Sequence, residues 1–388
     1  MKDIKVTLVD TTPTNTSFEE KTRQDFESAV GFVKEFRRSF SSNTTKNFYK
    51  QPFNYLDHNS ECNKYKEMLD GFISKIIQEN PAVLRIQDFE GWNLGMICAQ
   101  NCLTKSLDLA LDDQVASCQQ ISMEVGYPYS GYNTGMFCAH NKLKSQTLKA
   151  LDNHEASIQQ NKEGLNIGLV SARSCMEDCV LKALDNPVAS LQIDIYKNNI
   201  GSLASRNGLR KAAFKALNSE EAGIQQDIHG DNIGTYAAMN GWQEVVSKAM
   251  TNETARRQQN SRGWNMAMIA ANRDLAVIAP AALNDRVMCE QKNQVGHTFY
   301  HEAAKSREVR EYLEEYSGIN IRKELRDYKQ RQREENPTIF STFAHHIKNK
   351  YNHFEDIETK EDTQTETTIE TETTIESSSD SENSTPNM

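Results

Sequence analysis

The segment Gly91-Trp92-Asn93-Leu94-Gly95 recurs as Gly131-Tyr132-Asn133-Thr134-Gly135 and Gly164-Leu165-Asn166-Ile167-Gly168, then as Asn199-Ile200-Gly201, Asn232-Ile233-Gly234 and Asn265-Met266-Ala267. From Asn133 onward the step is 33 residues, and one more step lands on Thr298. The first interval is 40, the same step plus seven residues around Gly126-Tyr127-Pro128-Tyr129-Ser130. A period of this length constrains the fold more than any composition does. One such unit cannot bury its apolar face alone, so neighbours must stack into a continuous core.

Each unit contains two apolar segments. The first follows the recurrent Asn. The second starts at Leu103, Leu143, Met176, Leu209, Trp242 and Leu275 and ends at Ala110-Leu111, Ala150-Leu151, Ala183-Leu184, Ala216-Leu217, Ala249-Met250 and Ala282-Leu283. The spacing predicts two helices and a polar, hairpin-like connection. Asn is expected to cap the first helix through its side-chain oxygen. Gly208 and Gly241 suit the turn between helices, where φ is positive. Asn153, Asn186 and Asn252 are expected to end the second helix in the same conformation. Lys149, Lys182, Lys215 and Lys248 are expected to offset that helix's own dipole. Gly95, Gly135, Gly168, Gly201 and Gly234 inside a helix imply a close helix contact, since glycine there costs about 1 kcal/mol against alanine. Pro280 predicts a kinked or late-starting second helix.

These units resemble the ankyrin repeat. The match is carried by Gly296-His297-Thr298-Phe299-Tyr300-His301-Glu302-Ala303-Ala304 and by Ala237-Ala238-Met239-Asn240-Gly241-Trp242-Gln243-Glu244-Val245-Val246. The resemblance implies an all-α solenoid of about seven helix-turn-helix repeats that binds a protein. It places the array at 88–318. A capping half-repeat is expected at 58–87, where Asn80-Pro81 is similar to Asn186-Pro187, and an N-terminal helical extension and linker at 1–57. Charged and amphipathic helices (Ile339, Phe340, Phe343, Ile347) are expected over 319–352. Ile4 to Val9 reads as a short strand.

The formal charge of −10 comes from one place. Residues 353–388 hold eleven acids against one lysine, so the rest of the chain is neutral. That balance argues against a nucleic-acid partner. The tail, with its tandem Thr-Glu-Thr-Thr-Ile-Glu from Thr365 to Glu376, has too little apolar area to repay ordering. No apolar run has the length of a membrane span. With no signal-like start, the expectation is a cytoplasmic protein. Irregular ankyrin arrays with a Ser/Thr/Glu-rich end resemble host-directed proteins of intracellular bacteria, which implies export into a host cell.

No nucleotide-binding, hydrolase or metalloprotease motif is present. Cys98/Cys102 and Cys175/Cys179 occupy repeat slots, which favours packing over a metal site. His301 reads as a turn-stabilising residue. The expectation is therefore no enzyme, no cofactor, no metal and no small-molecule substrate, in a monomer. A small catalytic or toxic segment outside the repeats is the competing reading. Two rows carry the candidate partner-binding residues. The slot before the recurrent Asn or Thr holds Trp92, Tyr132, Trp264 and His297, with Tyr127 and Tyr129 in the insertion; large aromatics at tips mark contact surfaces. The slot after the Ala pair runs Gln100, His140, Arg173, Arg206, Met239, Asn272, Lys305, polar to basic, and suits an acidic partner. Deleting 355–388 should bring the net charge to zero and leave the thermal midpoint unchanged at high salt. A drop of several degrees in a melting experiment would mean that the tail packs.

Overall fold

The computed structural model describes residues 18–40, 60–123 and 129–335. It is all-α: among the described residues there is no strand, only the isolated bridges Gln87 to Asn93 and Gln259 to Asn265. The expected strand at Ile4 to Val9, the amphipathic stretch after Pro337, the tail, Tyr127 and Pro128 lie outside the described residues.

Every recurrent Asn begins a helix. Asn166 has extended backbone, and its Oδ1 accepts the Leu169 amide at 2.8 Å, opening Ile167–Arg173. Asn93, Asn133, Asn199, Asn232 and Asn265 do the same for Leu94–Gln100, Thr134–His140, Ile200–Arg206, Ile233–Met239 and Met266–Asn272. Thr298 opens Phe299–Lys305, and His301 Nδ1 accepts from the Thr298 amide at 3.2 Å, as expected of that histidine. Gly208 and Gly241 turn the chain into the second helices Arg210–Ala216 and Gln243–Ala249 with φ of 85° and 76°. Elsewhere Cys102, Lys142, Cys175 and Asp274 take that left-handed conformation themselves. In the Asn265 unit the proline delays the second helix, which is a 3-10 turn, Ala276–Ile278, followed by Ala279–Leu283.

The connection after the second helix ends in a hairpin-like turn, as at the antiparallel bridge Gln259 to Asn265, but it is not only that. It contains a third helix of five residues: Gln114–Cys118, His154–Ile158, Pro187–Leu191, Glu220–Ile224, Glu253–Arg257 and Arg286–Glu290. Asn153, Asn186 and Asn252 are the N-caps of these helices, with φ near −86° rather than positive; Asn153 and Asn252 accept the Ala156 and Ala255 amides. A sequence signal was there, since Asp113, Asn153, Asn186, Ser219, Asn252 and Asp285, all favoured capping types, recur at that place.

Each element packs against its counterpart in the next unit, giving three rows of first, second and third helices. The lysines tie the second row together. Lys182 Nζ reaches the Leu148 carbonyl at 2.7 Å and Asp152 at 2.6 Å; Lys149, Lys215 and Lys248 bond to Asp108, Leu181 and Phe214 carbonyls in the same way. These cations sit in the last turn of their own helix, as expected, and in addition cap the helix of the preceding unit. Phe18–Phe40 packs on Ser60–Glu79, on the 3-10 turn Pro81–Arg85 and on Leu94–Gln100. Within Ser60–Glu79, Ile73 and Ile77 are in the core, whereas Met68 faces solvent.

The helix glycines mark the closest approaches. A Cβ on Gly168 would lie 2.7 Å from Ala183 Cβ in the second helix and 2.4 Å from Ile200 Cδ1 in the next first helix. Gly135, Gly201 and Gly234 have the same two neighbours, with Met266 in place of Ile for Gly234. Gly31, inside Phe18–Phe40, has nothing within 4 Å. Gly168→Ala should therefore lower stability by about 1–3 kcal/mol through overpacking, although alanine is the better helix former. Gly31→Ala should raise it by up to about 1 kcal/mol. Urea unfolding of both variants checks this; equal signs would contradict the close-contact account.

Candidate interaction surface

The surface is built from the loops that join one unit to the next, and two polar devices hold those loops. The first is an Asx residue five positions before the recurrent Asn or Thr: Asp88, Asn161, Asp194, Asp227, Asn260 and Asn293. In each, Oδ1 accepts two backbone amides; Asp194 takes those of Tyr196 at 2.9 Å and Asn198 at 2.8 Å. The remaining five make the equivalent pair of bonds. The chain then turns through a positive φ, at Gly164 for example, where a Cβ would meet the Ile193 carbonyl at 2.6 Å; Lys197 is the one non-glycine in that slot.

The second device is a glutamine. Asn166 Nδ2 donates to the Ala189 carbonyl at 2.9 Å and to Gln192 Oε1 at 2.8 Å, so the buried amide joins the start of the first helix to the end of the third. Gln192 Nε2 then donates to the Ile158 carbonyl of the preceding unit at 2.6 Å. Gln119, Gln159, Gln258 and Gln291 repeat both contacts. Gln225 keeps neither, bonding instead to the Gln226 and Lys197 carbonyls. The glutamines recur at the period of the repeat, a signal as legible as that of the asparagines.

Backbone bonds link the tips of successive loops. Ile195 donates to the Glu163 carbonyl at 2.9 Å, Ile228 to Tyr196 at 3.0 Å, Ser261 to His229 at 2.7 Å and Gln294 to Arg262 at 3.0 Å. On this frame Phe89 is 86% exposed, Ile195 56%, Tyr196 46%, Ile228 51% and Val295 72%. Sequence reading did not single out these residues. They stand one and two places after the Asx residue, and both of its Oδ1 bonds fold the chain behind them.

The aromatic slot lies deeper than its sequence position suggested. Trp92 is buried with its ring 4.9 Å from that of Phe137, and Tyr132 is buried against the same phenyl at 5.2 Å. Burial raises the Tyr132 phenol to about 12. Tyr129 is half-buried against Tyr132, Phe137 and His140, so this residue of the insertion folds onto the unit beside it. Trp264 and His297 are half-buried, and His297 Nδ1 lies 2.9 Å from the buried Glu302, which also holds Lys305 at 3.0 Å. Arg173 bridges Glu163 at 2.9 Å and the fully buried Asp194 at 3.1 Å. Arg206 is exposed and has no ion pair or hydrogen bond among the described residues. The described residues contain no cluster of three metal-ligating side chains.

The buried asparagine should matter more than a half-buried cap. Asn166→Ala removes a cap and leaves the Ala189 carbonyl and Gln192 short of a donor, a loss of about 2–4 kcal/mol. Asn252→Ala, which loses a half-buried cap and no other side-chain bond, should cost about 1 kcal/mol. Denaturant midpoints of the two variants decide it; equal losses would mean that the Asn–Gln link contributes nothing beyond capping. Compared with known proteins, the chain matches no protein-family model and no curated protein.

Proposed function

We propose that the chain is a non-enzymatic protein-binding scaffold, a solenoid of ankyrin-like units that presents its loop tips to a protein partner. The observation that carries this reading is the row Phe89, Ile195, Tyr196, Ile228 and Val295. Apolar side chains in water are unremarkable singly, but these sit at equivalent places on loops fixed by the same Asx bonds and backbone links. Rigid tips lower the entropy cost of binding, because the contact residues are already ordered. The sequence changes from tip to tip while the frame stays constant, as a surface selected for one partner would. The resemblance to ankyrin repeats supports the same function, with a third short helix as this chain's departure.

The test is affinity capture from cell extract with the full chain and with a variant carrying Phe89→Ser, Ile195→Ser and Ile228→Ser. The variant should keep its melting temperature within about 2 °C, since exposed substitutions move stability by only about 0.5 kcal/mol each, and should lose the captured protein. Unchanged capture would move the binding surface elsewhere. Absence of any specific capture would count against the scaffold itself.

A further inference from the structure

The repeat register makes Arg206 anomalous. Arg173 reaches ten residues back to Glu163 and twenty-one forward to Asp194. The corresponding positions around Arg206 hold Tyr196 and Asp227. Tyr196 carries no charge. Asp227 is engaged on both oxygens: Oδ1 accepts the His229 and Asp231 amides at 2.8 and 2.9 Å, and Oδ2 takes the Tyr236 hydroxyl at 2.6 Å. Tyr236 stands where the two preceding units have Leu203 and Val170. Its phenol thus takes the place on Asp227 that the guanidinium takes on Asp194. Burial, and then the Asp227 bond, push that phenol up, while Arg206 lies near enough to oppose the rise.

The surroundings of Arg206 define what it fits. Tyr196, Ile195 and Ile228 are exposed on the adjoining tips, whose backbones are bonded to each other. Lys197 and Arg262, on the same row of loops, are exposed and have no side-chain partner among the described residues. The nearby carboxylates are spoken for: Glu163 by Arg173, Asp227 by Tyr236, and Asp231 is buried and bonded to Asn260 at 3.0 Å. The face is a free guanidinium in an apolar setting with further positive charge beside it. Arginine and tyrosine are the residues most enriched at binding hot spots.

We infer that Arg206 is the anchor for a carboxylate of an acidic, apolar-flanked peptide segment of the partner, with Tyr196, Ile195 and Ile228 seating the flanking apolar side chains. The inference rests on the scaffold reading and adds the partner's chemistry. A guanidinium holds a carboxylate through two parallel bonds, so an Asp or Glu side chain fits better than a diffuse negative field. The exposed isoleucines favour a peptide over a nucleic-acid strand, which would want stacking faces.

The experiment selects a display library of random twelve-residue peptides on the full chain. The enriched sequences are then synthesised and their binding is measured by fluorescence anisotropy. Enriched peptides should carry Asp or Glu beside Ile, Leu, Val or Phe, and should bind more weakly as salt is raised. Arg206→Gln should weaken binding about tenfold or more, Arg206→Lys by less, and Arg173→Gln by about twofold at most, because Arg173 is already paired. Tyr236→Phe should also weaken binding, since it frees Asp227 to pair with Arg206 while leaving the surface residues intact. Peptides without a carboxylate requirement, binding indifferent to Arg206→Gln, no enrichment, or tighter Arg206-dependent binding of an oligothymidine would each overturn the proposal. Capture from extract that persists in the Arg206→Gln variant would then sink the anchor alone, whereas loss of all capture by the wild type sinks the scaffold reading with it.

Discussion

The buried amide of the recurrent asparagine is the interaction on which the rest depends. At Asn166 one oxygen satisfies a helix N-terminus, and one nitrogen satisfies a carbonyl of the third helix and a glutamine. No apolar residue could do this, because a first helix that begins inside the protein leaves amides that water cannot reach. No carboxylate could either, since the Nδ2 side faces two acceptors. The requirement fixes asparagine from Asn93 to Asn265, and its recurrence gives those units the same internal geometry; Thr298 opens the last first helix without that amide.

The glutamine extends that local solution into a long-range one. Gln192 accepts within its own unit and donates to the preceding one, so the register of neighbouring units is set by hydrogen bonds rather than by apolar packing alone. Apolar packing would tolerate sliding; a half-buried amide with one donor and one acceptor partner does not. The glycines act in the same direction by sterics. Gly168 and Gly201 allow approaches that a methyl group would block, which locks the first helix against two others at once.

Much of this was legible beforehand. The period located the first and second helices, and the capping role of asparagine and the close contact at glycine followed from their positions. Four things were not read. The third helix is only five residues long, too short for its 3.6 period to stand out, and its caps Asn153, Asn186 and Asn252 were assigned to the wrong end. The lysines were placed at the ends of their own helices, where they are, but the bond that Lys182 makes to the unit before it does not show in a single unit. Trp92 and Tyr132 looked like tip residues because a position in a loop does not reveal burial; the turn before each directs it toward Phe137 in the neighbouring helix. The exposed tips were overlooked for the converse reason, since Ile195 and Ile228 read as ordinary apolar residues.

Repetition has a further physical consequence. When every unit shares one frame, a single substitution can be interpreted against its neighbours as an internal control. Val170, Leu203 and Tyr236 occupy one slot of the first helix, and only the third carries a hydroxyl. That hydroxyl finds Asp227, the buried carboxylate the frame already provides, and displaces the arginine that pairs with its equivalent one unit earlier. A change in the interior, together with Tyr196 in the slot that holds Glu163 one unit earlier, thus alters the charge available on the surface. The same logic applies to the glutamine ladder, where Gln225 departs from its counterparts and Lys197 replaces glycine in the adjoining loop. Both irregularities fall in the stretch that also holds Tyr196, Arg206, Asp227 and Ile228. A left-handed lysine costs about 1 kcal/mol or more that glycine would not, so the frame departs from its own rule beside the exposed Ile195, Tyr196 and Ile228.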